Sequence, residues 1–125
     1  MSTANPHIDF SDDNMDPCNV GLWSQIKQSL RNLDLPTFIE QAQADTNAFV
    51  LDVRTPDEFK TGTILKATNM NYLSSHLADE IERLPRDKNY YVFCRTGRRS
   101  IRVCAIMENT GFKNVYNLDG GINAN

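Results

Sequence analysis

The chain alternates short apolar runs with helical stripes, and no other feature restricts its fold as much. Ala48-Phe-Val-Leu-Asp-Val53 is a compact apolar run with one acid, and Tyr90-Tyr-Val-Phe93 and Val115-Tyr-Asn-Leu118 are two more. Runs of this length and composition read as buried strands. Ala67 to Asn71 gives a weaker strand signal. Helical signals lie between the runs. Asp34 is placed to cap a helix through Phe38, Ile39 and Ala42. Thr55-Pro-Asp-Glu58 is a capping box with Pro56 at the first helical position, and Gly62 closes that short helix. Leu77, Ile81 and Leu84 make a stripe that stops at Pro85. A last helix, from about Arg98 to Asn109, carries Ile101, Val103, Cys104, Ala105, Ile106 and Met107 and stops at Gly111. Strands alternating with helices predict an α/β fold, a central parallel sheet with helices on both faces.

At 125 residues the chain has material for one domain. Its first 20 residues hold Asp9, Asp12, Asp13 and Asp16 but no Lys or Arg, and read as a polar, acidic tail. Gly21 to Leu30 reads as a short amphipathic helix, with Leu22, Ile26 and Leu30 spaced four apart. The expected organisation is therefore a tail over 1–30 and a domain over 31–125. No apolar run approaches the ~20 residues of a membrane span, and no charged start precedes an apolar stretch. The expectation is a cytoplasmic protein with no membrane partner.

Cys18, Cys94 and Cys104 are an odd set in a chain without a secretory pattern, so no disulfide framework is expected. No Cys or His pair has zinc-binding spacing, which predicts no metal and no cofactor. The net charge of −3 argues against nucleic acid as a partner. The distribution of charge is more informative. Arg95, Arg98, Arg99 and Arg102 follow Cys94 within nine residues that contain no acid. Without those four, nine basic residues would face sixteen acidic ones. A mildly acidic chain has gathered its positive charge around one cysteine.

Ligand sites in open α/β sheets form at the carboxyl ends of strands, and Cys94 stands at such an end with a helix about to begin. Backbone N–H groups in a strand-to-helix turn converge on an anion, and Gly97 allows the turn to close tightly. A cysteine held in such a cradle is favoured as thiolate, and Arg95, Arg98 and Arg99 add positive charge to the same end. Cys94 is thus the expected nucleophile, with no histidine needed as base. A free cysteine at a strand end is often an inert buried hydrophobe. Such a residue gains nothing from a cluster of arginines, which weighs against that reading here.

Four segments carry a family resemblance. Val50-Leu-Asp-Val-Arg-Thr-Pro-Asp-Glu-Phe59, Cys94-Arg-Thr-Gly-Arg-Arg-Ser100, Gly111-Phe-Lys-Asn-Val115 and Leu118-Asp-Gly-Gly-Ile122 resemble, in order and spacing, the successive signatures of a rhodanese-like domain. The resemblance covers about residues 32–122. It implies a sulfurtransferase in which Cys94 takes sulfane sulfur from a donor such as thiosulfate and carries it as a persulfide. A thiophilic acceptor, cyanide or a thiol, then receives it; a protein thiol is a further acceptor of that kind. Inward-facing amides over Arg95, Thr96, Gly97, Arg98, Arg99 and Ser100 would hold the anionic sulfur. Arg99 falls at the loop-closing arginine, and Arg95 and Arg98 would draw in a small anionic donor. The chain departs from the family where Thr63 and Lys66 replace a usual histidine and a usual glycine.

Two other readings share the scaffold. Cysteine-dependent phosphatases and arsenate reductases place five residues between the cysteine and the phosphate-binding arginine, a position that is Ser100 here. The match to Arg99 leaves four, a smaller cradle suited to one sulfur rather than a tetrahedral oxyanion. A non-catalytic rhodanese-like binding module is the other reading, and the intact Cys94 stands against it. Asp52 and Arg54 read as structural, a buried acid bonding loop amides and an arginine paired with Glu58. Cys104 reads as core, beside Ile101 and Ala105.

Overall fold

The structure is a computed structural model and describes residues 17–124; of the tail expected over 1–30, residues 1–16 lie outside the described residues. Its strands are β1 (Arg31–Leu33), β2 (Ala48–Asp52), β3 (Thr68–Asn69), β4 (Asn89–Phe93) and β5 (Asn114–Leu118). The helices are α1 (Pro17–Ser29), α2 (Leu35–Ala44), α3 (Pro56–Lys60), α4 (Leu77–Glu82) and α5 (Arg98–Asn109), followed by a 3-10 turn over Ile122–Ala124. The strands form one sheet in the order β1-β5-β4-β2-β3, and every pairing is parallel. Leu51 and Asp52 lie opposite Val92 and Phe93, while Tyr91 lies opposite Tyr116.

The period of two along β4 sorts its side chains between two cores. Tyr90, Val92 and then Cys94 face one side, where Leu77 and Ile81 of α4 and Val103, Cys104 and Met107 of α5 pack with Leu51 and Val53. Tyr91 and Phe93 face the other side, against Phe38 and Ala42 of α2, Ala67 and Leu118. Leu51, Val53, Val92 and Phe93 are fully buried. Each contributes roughly 1.5–3 kcal/mol by leaving water, and together they fix the central strands, β4 with Cys94 directly at its end. Helices thus cover both faces, as the alternation predicts.

The helix starts follow local rules. Asp34 accepts a bond from the Thr37 amide at 2.9 Å and starts α2. Thr55 and Glu58 form both halves of the capping box that starts α3. The sequence reading misses β1, three residues too few to show a period, at the sheet edge with Arg31 exposed. Helix α1 begins at Pro17 rather than Gly21. Helix α4 ends at Glu82, two residues short of Leu84, whose amide closes a turn on the Ile81 carbonyl at 3.0 Å. No helix among the described residues is long and apolar enough to cross a membrane.

Candidate functional site

Cys94 follows directly on β4, the central strand, and is completely buried. The chain then turns through Arg95, Thr96 and Gly97 into α5. Gly97 is the N-cap, with φ of +90°. That left-handed conformation is open to glycine at little cost and carries the chain from the turn into α5. The Gly97 N–H donates to Cys94 Sγ at 3.0 Å. The twelve-residue α5 directs the positive end of its dipole at the same place. One turn into α5, the buried Ser100 sets its Oγ 3.6 Å from Sγ.

The segment after β5 closes over this loop. The Ile122 amide donates to the Cys94 carbonyl at 3.0 Å and the Asn123 amide to the Arg95 carbonyl at 2.8 Å. The approach is tight enough that a Cβ on Gly121 would overlap the Arg95 carbonyl and stand 2.6 Å from the Gly97 nitrogen. Loop and turn therefore fit as a pair of backbones with no side chain between them.

The arginines divide by environment. Arg95, Thr96 and Arg98 are exposed at the rim. Arg99 is turned inward and donates to Glu58 Oε1 at 3.0 Å, with its guanidinium 5.9 Å from the centre of the Tyr72 ring. The other Glu58 oxygen lies 3.7 Å from Arg95. Burial pushes the Glu58 carboxyl up, but hydrogen bonds from the Thr55 amide and hydroxyl and from Arg99 outweigh it and hold the group below the usual glutamate range. Arg102, grouped with the others by sequence, does not belong to the basic rim. It is 1% exposed and its guanidinium bonds the Tyr72 hydroxyl at 3.2 Å.

A second buried cluster supports the neighbouring strand end. Asp52 accepts from the Arg54 amide at 3.0 Å and from the Arg54 guanidinium at 2.7 Å. The partner of Arg54 is thus Asp52, not Glu58 as its position four residues ahead of Glu58 suggests; Glu58 is taken by its cap and by the site arginines. Thr63, at one of the two departures from the family pattern, donates its hydroxyl to Asp52 at 2.9 Å. Lys66, at the other, adopts φ of +52°, the left-handed conformation for which glycine is the low-cost choice.

Cys104 is a core residue as expected, fully buried with its thiol pushed well up by burial and by the nearby Glu108 and Cys94. Cys18 lies in the first turn of α1, and its side chain is outside the described residues. His76 is exposed at the N-cap of α4 and makes no capping bond with its side chain. The structure gathers Gly97 and Ser100 around the buried Cys94 sulfur, ties Arg99 to Glu58, and leaves Arg95, Thr96 and Arg98 exposed. Sequence reasoning missed Asn117, whose Oδ1 lies 2.6 Å from Ser100 Oγ in the core. A polar residue inside the apolar run Val115–Leu118 was the available signal.

Comparison with known proteins identifies the family. The family model of the rhodanese-like domain matches residues 35–124. A putative sulfurtransferase of Bacillus subtilis, YtwF, is 32% identical over 95 residues, 76% of this chain and 89% of its own length. A sulfurtransferase of Allochromatium vinosum is 36% identical over 86 residues, 67% of this chain and 78% of its own. The crystal structure of a rhodanese-related protein from Thermoplasma volcanium superposes with a TM-score of 0.65 at 31% identity, covering 75% of this chain and 88% of that one. With the parallel sheet, the cysteine at the end of its central strand and a match over most of its length, the chain belongs to the rhodanese-like domain family.

Proposed function

We propose that this protein is a sulfurtransferase that carries sulfane sulfur on Cys94. The observation that bears the most weight is the Gly97 amide, which donates to Cys94 Sγ at 3.0 Å from the N-cap of α5. A donor so fixed stabilises negative charge on sulfur without rearranging during the reaction. With thiosulfate as donor, the Cys94 thiolate attacks the outer sulfur, a sulfur–sulfur bond forms to Sγ, and sulfite leaves with the electron pair of the broken bond. Cyanide or a thiolate, a protein thiol included, then attacks the terminal sulfur. It leaves as thiocyanate or a new persulfide and returns the Cys94 thiolate. The exposed Arg95 and Arg98 stand where an anionic donor would approach, and Glu58 offsets the charge of Arg99 behind them.

Intact mass after incubation with thiosulfate tests this reading. One added sulfur, lost on cyanide treatment and absent in Cys94→Ser, is the expected result. Retained thiocyanate formation in Cys94→Ser would overturn the assignment. So would hydrolysis of a small aryl phosphate by the parent that exceeds its sulfur transfer.

A further inference from the structure

Behind the nucleophile runs a buried chain of hydrogen bonds that leads out of the site to the end of α1. Ser100 Oγ and Asn117 Oδ1 are 2.6 Å apart, and both residues are fully buried. Asn117 Nδ2 donates to Asn32 Oδ1 at 2.9 Å. Asn32 Nδ2 donates to the Lys27 carbonyl at 2.8 Å and to the Leu30 carbonyl at 3.2 Å. Lys27 lies in the last turn of α1 and Leu30 directly follows the helix, and their carbonyls accept only.

Their polarity propagates through the chain. Carbonyls at that end require the Asn32 amide nitrogen, which leaves Asn32 with its oxygen toward β5. That oxygen requires the Asn117 nitrogen, so Asn117 turns its own oxygen to Ser100. Two oxygens 2.6 Å apart need a proton between them, and Ser100 alone has one to give. The hydroxyl therefore faces Cys94 Sγ, at 3.6 Å, with a lone pair.

We propose that Asn117 and Asn32 are positioning residues that fix the Ser100 proton away from the nucleophile. Ser100 then accepts from the Cys94 thiol and gives the thiolate no hydrogen bond, so the Gly97 amide holds the charged sulfur without help from that hydroxyl. A sulfur anion with fewer donors is less stabilised and is passed on more readily, which suits a group that must be taken up and released. The inference rests on Cys94 being the reacting thiol of the sulfur-transfer reading.

Asn32→Leu tests it. Without Asn32 the Asn117 amide is free to turn over and offer its nitrogen to Ser100, whose proton then has two acceptors, the neutral Gly97 carbonyl at 3.2 Å and the charged Cys94 sulfur at 3.6 Å, and the charged one binds it more strongly. One hydrogen bond to a charged sulfur should raise the thiolate-to-thiol ratio of Cys94 at a given pH, read as ultraviolet thiolate absorbance against Cys94→Ser, several-fold, up to roughly tenfold. Adding Ser100→Ala to Asn32→Leu should abolish that gain, because the new donor is the Ser100 hydroxyl. No gain in Asn32→Leu, or a gain that persists without the hydroxyl, would overturn the proposal. The parent protein gives a reading that needs no variant to fold. Nuclear Overhauser contacts from the Asn117 side-chain amide protons should run to Asn32, and contacts to Ser100 instead would refute the orientation. Neither measurement requires sulfur transfer, so loss of the thiosulfate reaction would sink the functional reading while leaving this outcome to be read separately.

Discussion

Glu58 holds Arg99 at 3.0 Å across the gap between the start of α3 and the nucleophile loop. The same Glu58 oxygen accepts the Thr55 amide and hydroxyl, each at 3.0 Å. One carboxylate therefore caps a helix and anchors a site arginine, and it leaves Arg98 without an ion pair among the described residues. Glu58 thus cancels one of the three positive charges of Arg95, Arg98 and Arg99.

Glu58→Gln should consequently tighten capture of a dianionic donor. The KM for thiosulfate is expected to fall about two- to fivefold at low ionic strength, and the difference should vanish at high salt because the rim is exposed and screened. An unchanged KM at low salt would show that Glu58 does not shape the charge at the mouth.

The same substitution bears on acid stability. A carboxyl held below its usual range contributes stability that is fully present above its unfolded value and is lost as pH falls through its folded one. Glu58→Gln should therefore lower the Tm at neutral pH by roughly 5 °C, for a loss of about 1 kcal/mol. The gap between parent and variant should close as the pH drops below the ordinary glutamate range. A gap that stays constant down the acid limb would contradict the linkage.

Asp52 is the keystone of the adjoining strand end. It receives the Arg54 amide, the Arg54 guanidinium and the Thr63 hydroxyl, and it is fully buried. Asp52→Asn leaves the buried Arg54 guanidinium without its counter-charge, and the fold should lose about 3 kcal/mol in denaturant unfolding. Thr63→Val removes one hydrogen bond from the same carboxylate and should cost only about 1 kcal/mol. Equal losses in the two variants would show that charge pairing is not what Asp52 supplies.

Four of the five strands and the turn after Cys94 were legible in the sequence because their signals are local. Tyr90–Phe93 and the glycine three residues after Cys94 specify a strand, a turn and a helix start within a dozen positions. The partners of the site were not legible, since they arise from long-range packing. Glu58 meets Arg99 across 41 positions, and Asn117 meets Asn32 across 85. The pairing of Arg54 failed for a related reason. Helical spacing brings Arg54 near Glu58, but the turn after β2 folds its guanidinium back on Asp52, two residues behind it. Nearest in sequence along a helix lost to nearest in space at a strand end.

The fit of the Gly120–Gly121 turn against the loop allows a graded test. At Gly121, φ is +73° and a Cβ would overlap the Arg95 carbonyl, a backbone atom that cannot swing away. At Gly111, φ is +98° but a Cβ would meet nothing within 4 Å. Gly111→Ala thus reports backbone strain alone and should cost about 1–2 kcal/mol with sulfur transfer retained. Gly121→Ala carries the same strain and must also push the turn off the loop. That shift breaks the register of the Ile122 and Asn123 amides on the Cys94 and Arg95 carbonyls and moves the Gly97 N–H relative to Sγ. A displacement of about 1 Å at a catalytic donor is enough to lower turnover by roughly 100-fold. Gly121→Ala should therefore lose persulfide formation, read by intact mass under conditions where the variant remains folded. If it kept the sulfur-transfer rate of Gly111→Ala, the closing turn would have no part in holding the nucleophile loop.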